Sequence, residues 1–416
     1  MIREYRITVL VLALIFGAGV AVILAEPAKS ERRVVVVVWD GMRPDFVSEE
    51  NTPALWKLAR EGVTFRHHHA VYPSATMVNG TALVTGMYPG KSGIIANHEY
   101  RPEIDRQRSI DVETPAVVGK ADQLSGGKYI SFPTVAELVQ KAGGRTAITA
   151  AKTVGLLLDR QVVARSGNVN GSASPLTEGE RMEVRGSTTR RERRTNSENE
   201  AEIDSQRTTN SVTLFAGKSL PGEIFHSITE KLGPFPSGHL QQDIWTTKAL
   251  TEFLWKEGMP TFSVLWLGEP DLTEHESAPG SQSALAAMKS ADANLAAVLT
   301  DLDRRKVRGI TDIFVVSDHG FSTIKRSVDL RKILRDAGFS ATTEFTDEPK
   351  GGDIMLAGNG GSVLFYVEGH DAEVTRHLVE LLQQTDFAGV IFTREAMPGR
   401  SVSIKRKLTV KTHQTW

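Results

Sequence analysis

The chain has 416 residues, 40% hydrophobic and 24% charged, with 49 Lys and Arg against 50 Asp and Glu for a net charge of −1. That balance is ordinary for a globular protein and offers no basic stripe of the kind a nucleic-acid surface needs, so no nucleic-acid partner is expected. Zero cysteine excludes disulfides, thiolate zinc sites, a thiol nucleophile and a cysteine-linked lipid anchor, which leaves His, Asp, Glu and hydroxyl groups to hold any metal.

Residues 1–6 carry two arginines, and residues 7–25 (ITVLVLALIFGAGVAVILA) are an uncharged apolar run. The pattern reads as a signal peptide, cleavable after Ala25, or as an N-terminal membrane anchor, since the run just suffices to span a bilayer. Either way the bulk of the chain is expected outside the cytoplasm, and an exported chain without disulfides fits a bacterial periplasm.

Beyond the leader, Val34 to Trp39 is a β-branched run of the kind found in strands buried on both faces of a parallel sheet. Asn51-Thr52-Pro53 opens a helix that Gly62 closes. Val63 to Ala70 predicts a strand and 76–86 a helix. Helices follow over 133–142, 240–256, 281–303, 328–337 and 371–384, and strands over 146–151, 261–267, 312–317, 361–367 and 388–393. This alternation predicts a doubly wound, mostly parallel α/β sheet with helices on both faces, and ligands beyond the carboxyl ends of its strands. Residues 98–131 are long, polar and strand-poor, and read as a loop covering the site. Residues 166–211 are too polar to offset their ordering entropy and are expected to be a disordered insertion.

Three acidic or histidine motifs stand at strand ends: Trp39-Asp40-Gly41, then Gly268-Glu269-Pro270-Asp271 with His275 four residues on, then Ser317-Asp318-His319-Gly320. A parallel sheet gathers such ends on one edge, where Asp and His can hold a metal without thiolates. One such carboxylate alone is usually a turn residue; three, two of them with histidine, point to a metal site. Tyr72-Pro73-Ser74-Ala75-Thr76 precedes a helix, which places the Thr76 hydroxyl at a helix N-terminus, suited to attack on a bound phosphate. A simple helix cap at Ser74 or Thr76 explains the same residues. His67-His68-His69 would alternate sides on a strand and so cannot all face one ion. Arg43 and Asp45 read as braces of the Asp40-Gly41 turn, and Glu269 as either a partner of a ligand or a packing residue.

The order Asp40-Gly41, Thr76, Asn97, Asp271-x-x-x-His275 and Asp318-His319-Gly320, with the flanks YPSAT and LVTGMYPGKSGIIAN, resembles the type I phosphodiesterase/nucleotide pyrophosphatase family of the alkaline phosphatase superfamily. The resemblance runs from about Val34 to about Glu395. It implies one alkaline phosphatase-like domain over 32–398, interrupted by the 166–211 insertion. It also implies two divalent metal ions, most simply zinc, about 4 Å apart to stabilise both the attacking and leaving oxygens of an in-line displacement. One ion would take Asp40, Asp318 and His319 and activate Thr76 as nucleophile; the other would take Asp271, His275 and a further histidine. Asn97 would donate to a phosphoryl oxygen. The implied substrate is a small phosphodiester or nucleotide.

The sequence departs from the family at three places. Met77 stands where many nucleotide pyrophosphatases carry a phenylalanine that resembles a base-stacking platform. Glu274 replaces the frequent glycine before the histidine, read here as a tolerated loop change. The tail over 399–416 is atypical: His413, in Lys-Thr-His-Gln, shares only Thr-His with the loop that normally supplies the third histidine, and the chain reads as truncated or frame-shifted after about residue 398. A phosphomonoesterase or phosphonate hydrolase of the same superfamily, or an impaired exported binding protein lacking that ligand, are the competing expectations.

Overall fold

The computed structural model describes residues 32–160, 211–394 and 401–403. The leader at 1–25, insertion residues 166–210 and His413 lie outside the described residues.

The VVVVVW run forms β1 (Arg33–Trp39), whose side chains alternate between two cores. Val36 and Val38 point into one apolar layer, and Val35, Val37 and Trp39 into another. Such a strand has no wet face, which is why its sequence is continuously apolar rather than alternating. Next in the chain come α1 (Pro53–Glu61) and α2 (Thr76–Thr85). The short strands β2 (His98–Glu99) and β3 (Ile110–Asp111) pair antiparallel and lead into α3 (Pro115–Ser125), α4 (Val135–Lys141) and β4 (Thr146–Ala150).

On the far side of the insertion the chain resumes with β5 (Val212–Phe215), β6 (Lys218–Leu220), α5 (Glu223–Leu232) and α6 (His239–Lys248). The last of these continues as a wider π-helical stretch, Ala249–Leu254. Then follow β7 (Phe262–Leu267), α7 (Asp271–Ser277), α8 (Gln282–Arg304) and β8 (Thr311–Val316). The described chain ends in α9 (Leu330–Asp336), β9 (Ala341–Thr342), β10 (Ile354–Asn359), β11 (Ser362–Val367), α10 (Ala372–Gln383), β12 (Ile391–Thr393) and β13 (Ser401–Ser403).

The central sheet has the order β6-β5-β4-β7-β1-β8 and is parallel except for β6. Helices cover both faces: α2, α3 and α4 lie over the layer that holds Val36 and Val38, and α8 with the π-helical stretch over the other. The expected mixed, mostly parallel α/β architecture is therefore present. Its C-terminal strands behave differently from the expected series, because β9, β10 and β11 form a separate small sheet with its own core around Leu334, Ile354 and Leu378. There β10 and β11 pair antiparallel as a hairpin across Gly360.

Three local expectations change. Residues 63–70 are not a strand; they run exposed, with Val63 and Phe65 more than 70% accessible. A strand persists through its ladder, and among the described residues no strand pairs with this segment. Residues 98–131 are not a bare loop, because Ile104, Ile110, Val112, Val118, Tyr129 and Ile130 enter the main core and organise β2, β3 and α3. Ser211, counted with the insertion, belongs to the fold: its buried hydroxyl accepts the Thr146 N–H at 3.1 Å.

Candidate active site

Four parallel neighbours, β4, β7, β1 and β8, release their chains on the same edge, so the residues just beyond them stand side by side. In sheet order these are Lys152, the 268–271 loop, Asp40 and Asp318. Backbone hydrogen bonds continue the ladder past the strands: Asp40 N–H donates to Leu267 at 3.2 Å, Asp271 N–H to Asp40 at 3.0 Å, and Ala151 N–H to Trp266 at 3.0 Å. Gly41 allows the closest approach. Its φ is +74°, and a Cβ there would stand 3.0 Å from the Asp271 backbone, so both conformation and space require glycine. Its N–H donates to Asp318 Oδ1 at 3.1 Å, linking the first motif to the third.

Asp40, Asp271 and Asp318 are buried, and each keeps one carboxylate oxygen without a hydrogen-bond partner: Asp40 Oδ1, Asp271 Oδ1 and Asp318 Oδ2. These three oxygens face Nε2 of His319 at 3.6, 3.8 and 3.4 Å. Donor atoms of Asp40, Asp271 and His319 all lie within 4.8 Å of one another. Buried polar atoms are normally satisfied, so converging orphan oxygens beside an imidazole fit a divalent cation, and the O/N donor set suits zinc or manganese. The other oxygens are engaged. Asp40 Oδ2 accepts from the Trp266 indole at 2.8 Å, and Lys152 Nζ lies 3.0 Å from it and 2.8 Å from Asp271 Oδ2.

These contacts set the local electrostatics. Burial, then the neighbouring Asp318 charge, pushes the Asp40 carboxyl above its usual value, against the pull of Lys152 and His319. Burial opposes a charged His319, but Asp318, Asp40 and Asp271 together outweigh it and raise the imidazole. Lys152 behaves likewise: burial works against its ammonium, and Asp40 and Asp271 hold it charged.

Thr76 is the first residue of α2, 4% exposed, and its Oγ1 lies 3.1 Å from His319 Nε2. It does not cap the helix, nor does Ser74: Ala75 occupies the cap position with no side-chain bond. The approach to Thr76 is held by Asn79, whose Oδ1 accepts Val71 N–H at 2.8 Å while its Nδ2 donates to the Val71 and Ala75 carbonyls. Asn97 stands at the same helix end, its Oδ1 accepting Met77 N–H at 3.0 Å, which leaves the Nδ2 amide as a donor. Met77 itself is buried in the main core, so no base platform stands at that position.

His275 is not in the tight group. It sits at the rim with a 66% exposed side chain, Nε2 3.5 Å from Asp271 Oδ1 and its ring edge-on to Phe321. Arg43 and Asp45 brace the turn as expected, and Arg43 also donates to the Phe321 carbonyl at 3.1 Å. Glu269 accepts the Thr273 N–H and hydroxyl, steadying the start of α7. The exposed His67-His68-His69 segment supplies no donor to the group.

Several residues at the site carried no signal in the sequence. Lys152 follows β4 with no motif around it. Asp243 of α6 is buried and holds the 268–271 loop, accepting Gly268 N–H at 2.7 Å and Glu269 N–H at 3.1 Å. Phe321 touches both histidine rings. Glu274, dismissed as a loop change, is 2% exposed, and burial pushes its carboxyl up to about 7.

A hydroxyl at a helix start thus faces buried carboxylates and an imidazole along the carboxyl edge of the mostly parallel sheet. The family model for type I phosphodiesterase/nucleotide pyrophosphatase matches residues 34–402, and the chain belongs to that family, a family of hydrolases.

The chain is 30% identical over 96 residues to Bis(5'-adenosyl)-triphosphatase enpp4 of Mus musculus, covering 23% of this chain and 21% of that protein. It is 22% identical over 293 residues to the venom phosphodiesterase of Naja atra, covering 70% of this chain and 26% of that protein. The chain thus spans roughly a fifth to a quarter of the length of these curated relatives. Among solved structures it is similar to murine ectonucleotide pyrophosphatase/phosphodiesterase 5, an inactive threonine-to-alanine variant in complex with AMP. The TM-score there is 0.50 at 17% identity, over 83% of this chain and 68% of that one. Phosphonoacetate hydrolase of Sinorhizobium meliloti in complex with phosphonoformate gives a TM-score of 0.50 at 20% identity, over 84% and 73%.

Proposed function

We propose that this protein is an exported, metal-dependent phosphodiesterase or nucleotide pyrophosphatase in which Thr76 attacks phosphorus. The observation that carries the reading is the Thr76 hydroxyl at the start of α2, 3.1 Å from Nε2 of His319 and beside three buried carboxylates with orphan oxygens.

Asp40, Asp318 and His319 would hold one divalent ion, and Asp271 and His275 would contribute to a second. Divalent ions bound there would supply Lewis-acid stabilisation of charge at the reacting oxygens. The chain's own residues do the rest. The Thr76 N–H at the start of α2 would bind a phosphoryl oxygen beside Asn97, which already takes the Met77 N–H. Asn97, oriented by its bond to Met77, donates its amide to a non-bridging oxygen. The Thr76 oxygen displaces the leaving group to give a phosphothreonine, and water hydrolyses that ester to regenerate Thr76. Family membership and the named activities of the triphosphatase and venom phosphodiesterase support a nucleotide or other phosphodiester as substrate. Because Met77 is buried, we assign recognition to the phosphate rather than to a stacked base. Residues 32–398 would form the hydrolase domain, and the apolar 7–25 segment would direct export.

The test is hydrolysis of bis-p-nitrophenyl phosphate against the monoester by purified, zinc-loaded protein. The diester is expected to be faster and EDTA to abolish turnover. Thr76→Ala is expected to lower kcat by at least about 10³-fold while zinc binding persists. A monoester or phosphonate preference would move the assignment within the superfamily, and full activity of Thr76→Ala would remove the nucleophile from the mechanism.

A further inference from the structure

Asn97 stands on a loop, so its direction depends on what holds the backbone on either side. Its carbonyl accepts the Val112 N–H at 3.1 Å, from the β3 side. In an antiparallel pair successive residues turn their N–H and C=O groups to opposite edges, so those of His98 face away from β3. That outer edge is met by one side chain from 261 positions further along the chain. Asn359 Oδ1 accepts the His98 N–H at 2.8 Å, and Asn359 Nδ2 donates to the His98 carbonyl at 3.0 Å. A side-chain amide stands where the peptide group of a third strand would.

Both sides of this contact are themselves fixed. Asn359 is the last residue of β10, and its Nδ2 also donates to the Ala357 carbonyl at 3.3 Å, so both amide hydrogens are used. Further down the same strand Met355 is buried against Tyr100 and Phe345, and Tyr100 meets Phe345 and Tyr366 edge-on at 5.9 and 5.7 Å between ring centroids. On the other side Glu99, 3% exposed, accepts the Ile95 N–H at 2.8 Å and the Arg101 Nε–H at 2.8 Å, which closes the loop around Asn97. The two bonds to His98 lie at an exposed rim, where water could replace each at small net cost. What water cannot supply is a fixed direction.

We propose that Asn359 is a positioning residue for Asn97: through this one side chain the small β9–β11 sheet sets the direction in which the Asn97 amide meets a phosphoryl oxygen. The inference rests on the reading of Asn97 as a phosphoryl-oxygen donor given above. Asn359 acts through the backbone alone, since its own hydrogen bonds go to His98 and Ala357 and not to Thr76 or the buried carboxylates. Misplacing a substrate-binding group by about 1 Å can cost roughly 100-fold in rate, so a clamp that adds little to stability can still matter to turnover.

The experiment compares full-length wild type, Asn359→Ala, Asn97→Ala and the double variant in hydrolysis of bis-p-nitrophenyl phosphate with zinc, alongside thermal melting and amide hydrogen exchange. Asn97→Ala is expected to lower kcat about 10- to 100-fold. Asn359→Ala is expected to lower kcat about 10-fold with KM and Tm little changed, and to speed exchange over residues 95–99. On the Asn97→Ala background the Asn359 change should add no further loss, because the group it orients is gone. Asn359→Asp keeps the size but lacks the donor to the His98 carbonyl, and is expected to lose kcat at wild-type Tm even if the alanine variant folds poorly. A contact serving stability alone would lower Tm and leave kcat untouched. That result, wild-type kcat in both Asn359 variants, or a full additional loss in the double variant overturns the proposal while Asn97 keeps its role. If Asn97→Ala itself retains full kcat where Thr76→Ala loses it, the role of Asn97 fails and this inference with it. Absence of hydrolysis by wild type would remove the phosphodiesterase reading as a whole.

Discussion

Lys152 shows how a single side chain can hold a cluster of buried carboxylates together. Its ammonium lies 3.0 Å from Asp40 and 2.8 Å from Asp271, with only 19% of the side chain accessible. Without it, two buried carboxylates would face each other with His319 alone as counter-charge. Removing one partner of a buried charge network strands the rest, which typically costs about 3–5 kcal/mol. Lys152→Met is therefore expected to lower the urea stability of metal-stripped protein by about that amount. Adding zinc should recover much of the loss, since the incoming cation answers the same carboxylates. Equal losses with and without zinc would show that Lys152 acts through packing instead.

Elements in this fold are secured by groups distant in sequence. The cap residue of α1, Thr52, makes no side-chain bond to the helix. Its place is taken by Asp292 of α8, whose carboxylate accepts the N–H groups of Ala54 and Leu55 at 2.9 and 2.8 Å. Asp292→Ala leaves both donors without a partner and is expected to cost about 1–3 kcal/mol, read from denaturant midpoints. The pH dependence has a definite sign. Burial raises the Asp292 carboxyl above its usual value despite the two N–H bonds. The folded chain then binds this proton more tightly than the unfolded chain. Its contribution to stability accordingly falls as pH rises from about 4, the unfolded value, through the raised folded value, and stays level above it. Asp292→Ala should flatten stability against pH in that window; an unchanged slope would place the titration elsewhere.

At the scale of the molecule, the candidate site exists only when the sheet is assembled, because its acidic and histidine residues come from the ends of three parallel strands of one sheet. Metal binding and global stability should therefore be linked. Zinc at 100 times its dissociation constant is expected to add about 2.7 kcal/mol per site, seen as a rising Tm, and EDTA to reverse it. A Tm indifferent to zinc would mean that the ligand oxygens do not bind the ion in the folded state. Among the described residues no helix is long and apolar enough to cross a membrane.

The sequence by itself determined the doubly covered strand at 34–39, the alternation that builds the parallel sheet, and the motif residues Asp40, Thr76, Asp271, Asp318 and His319. Each of these is written in a short window, as a β-branched run, a strand-end carboxylate or a hydroxyl before a helix. Only the tertiary structure decided the rest. The segment 63–70 has strand-like composition, but a strand needs a neighbour, and pairing is not a local property. Lys152, Asp243 and Phe321 have no motif of their own; they matter because sheet order and helix packing bring them against residues far along the chain. Glu274 is the sharpest case. In sequence it is one more polar residue on a short helix, and only the fold shows that it is buried with both carboxylate oxygens unpartnered.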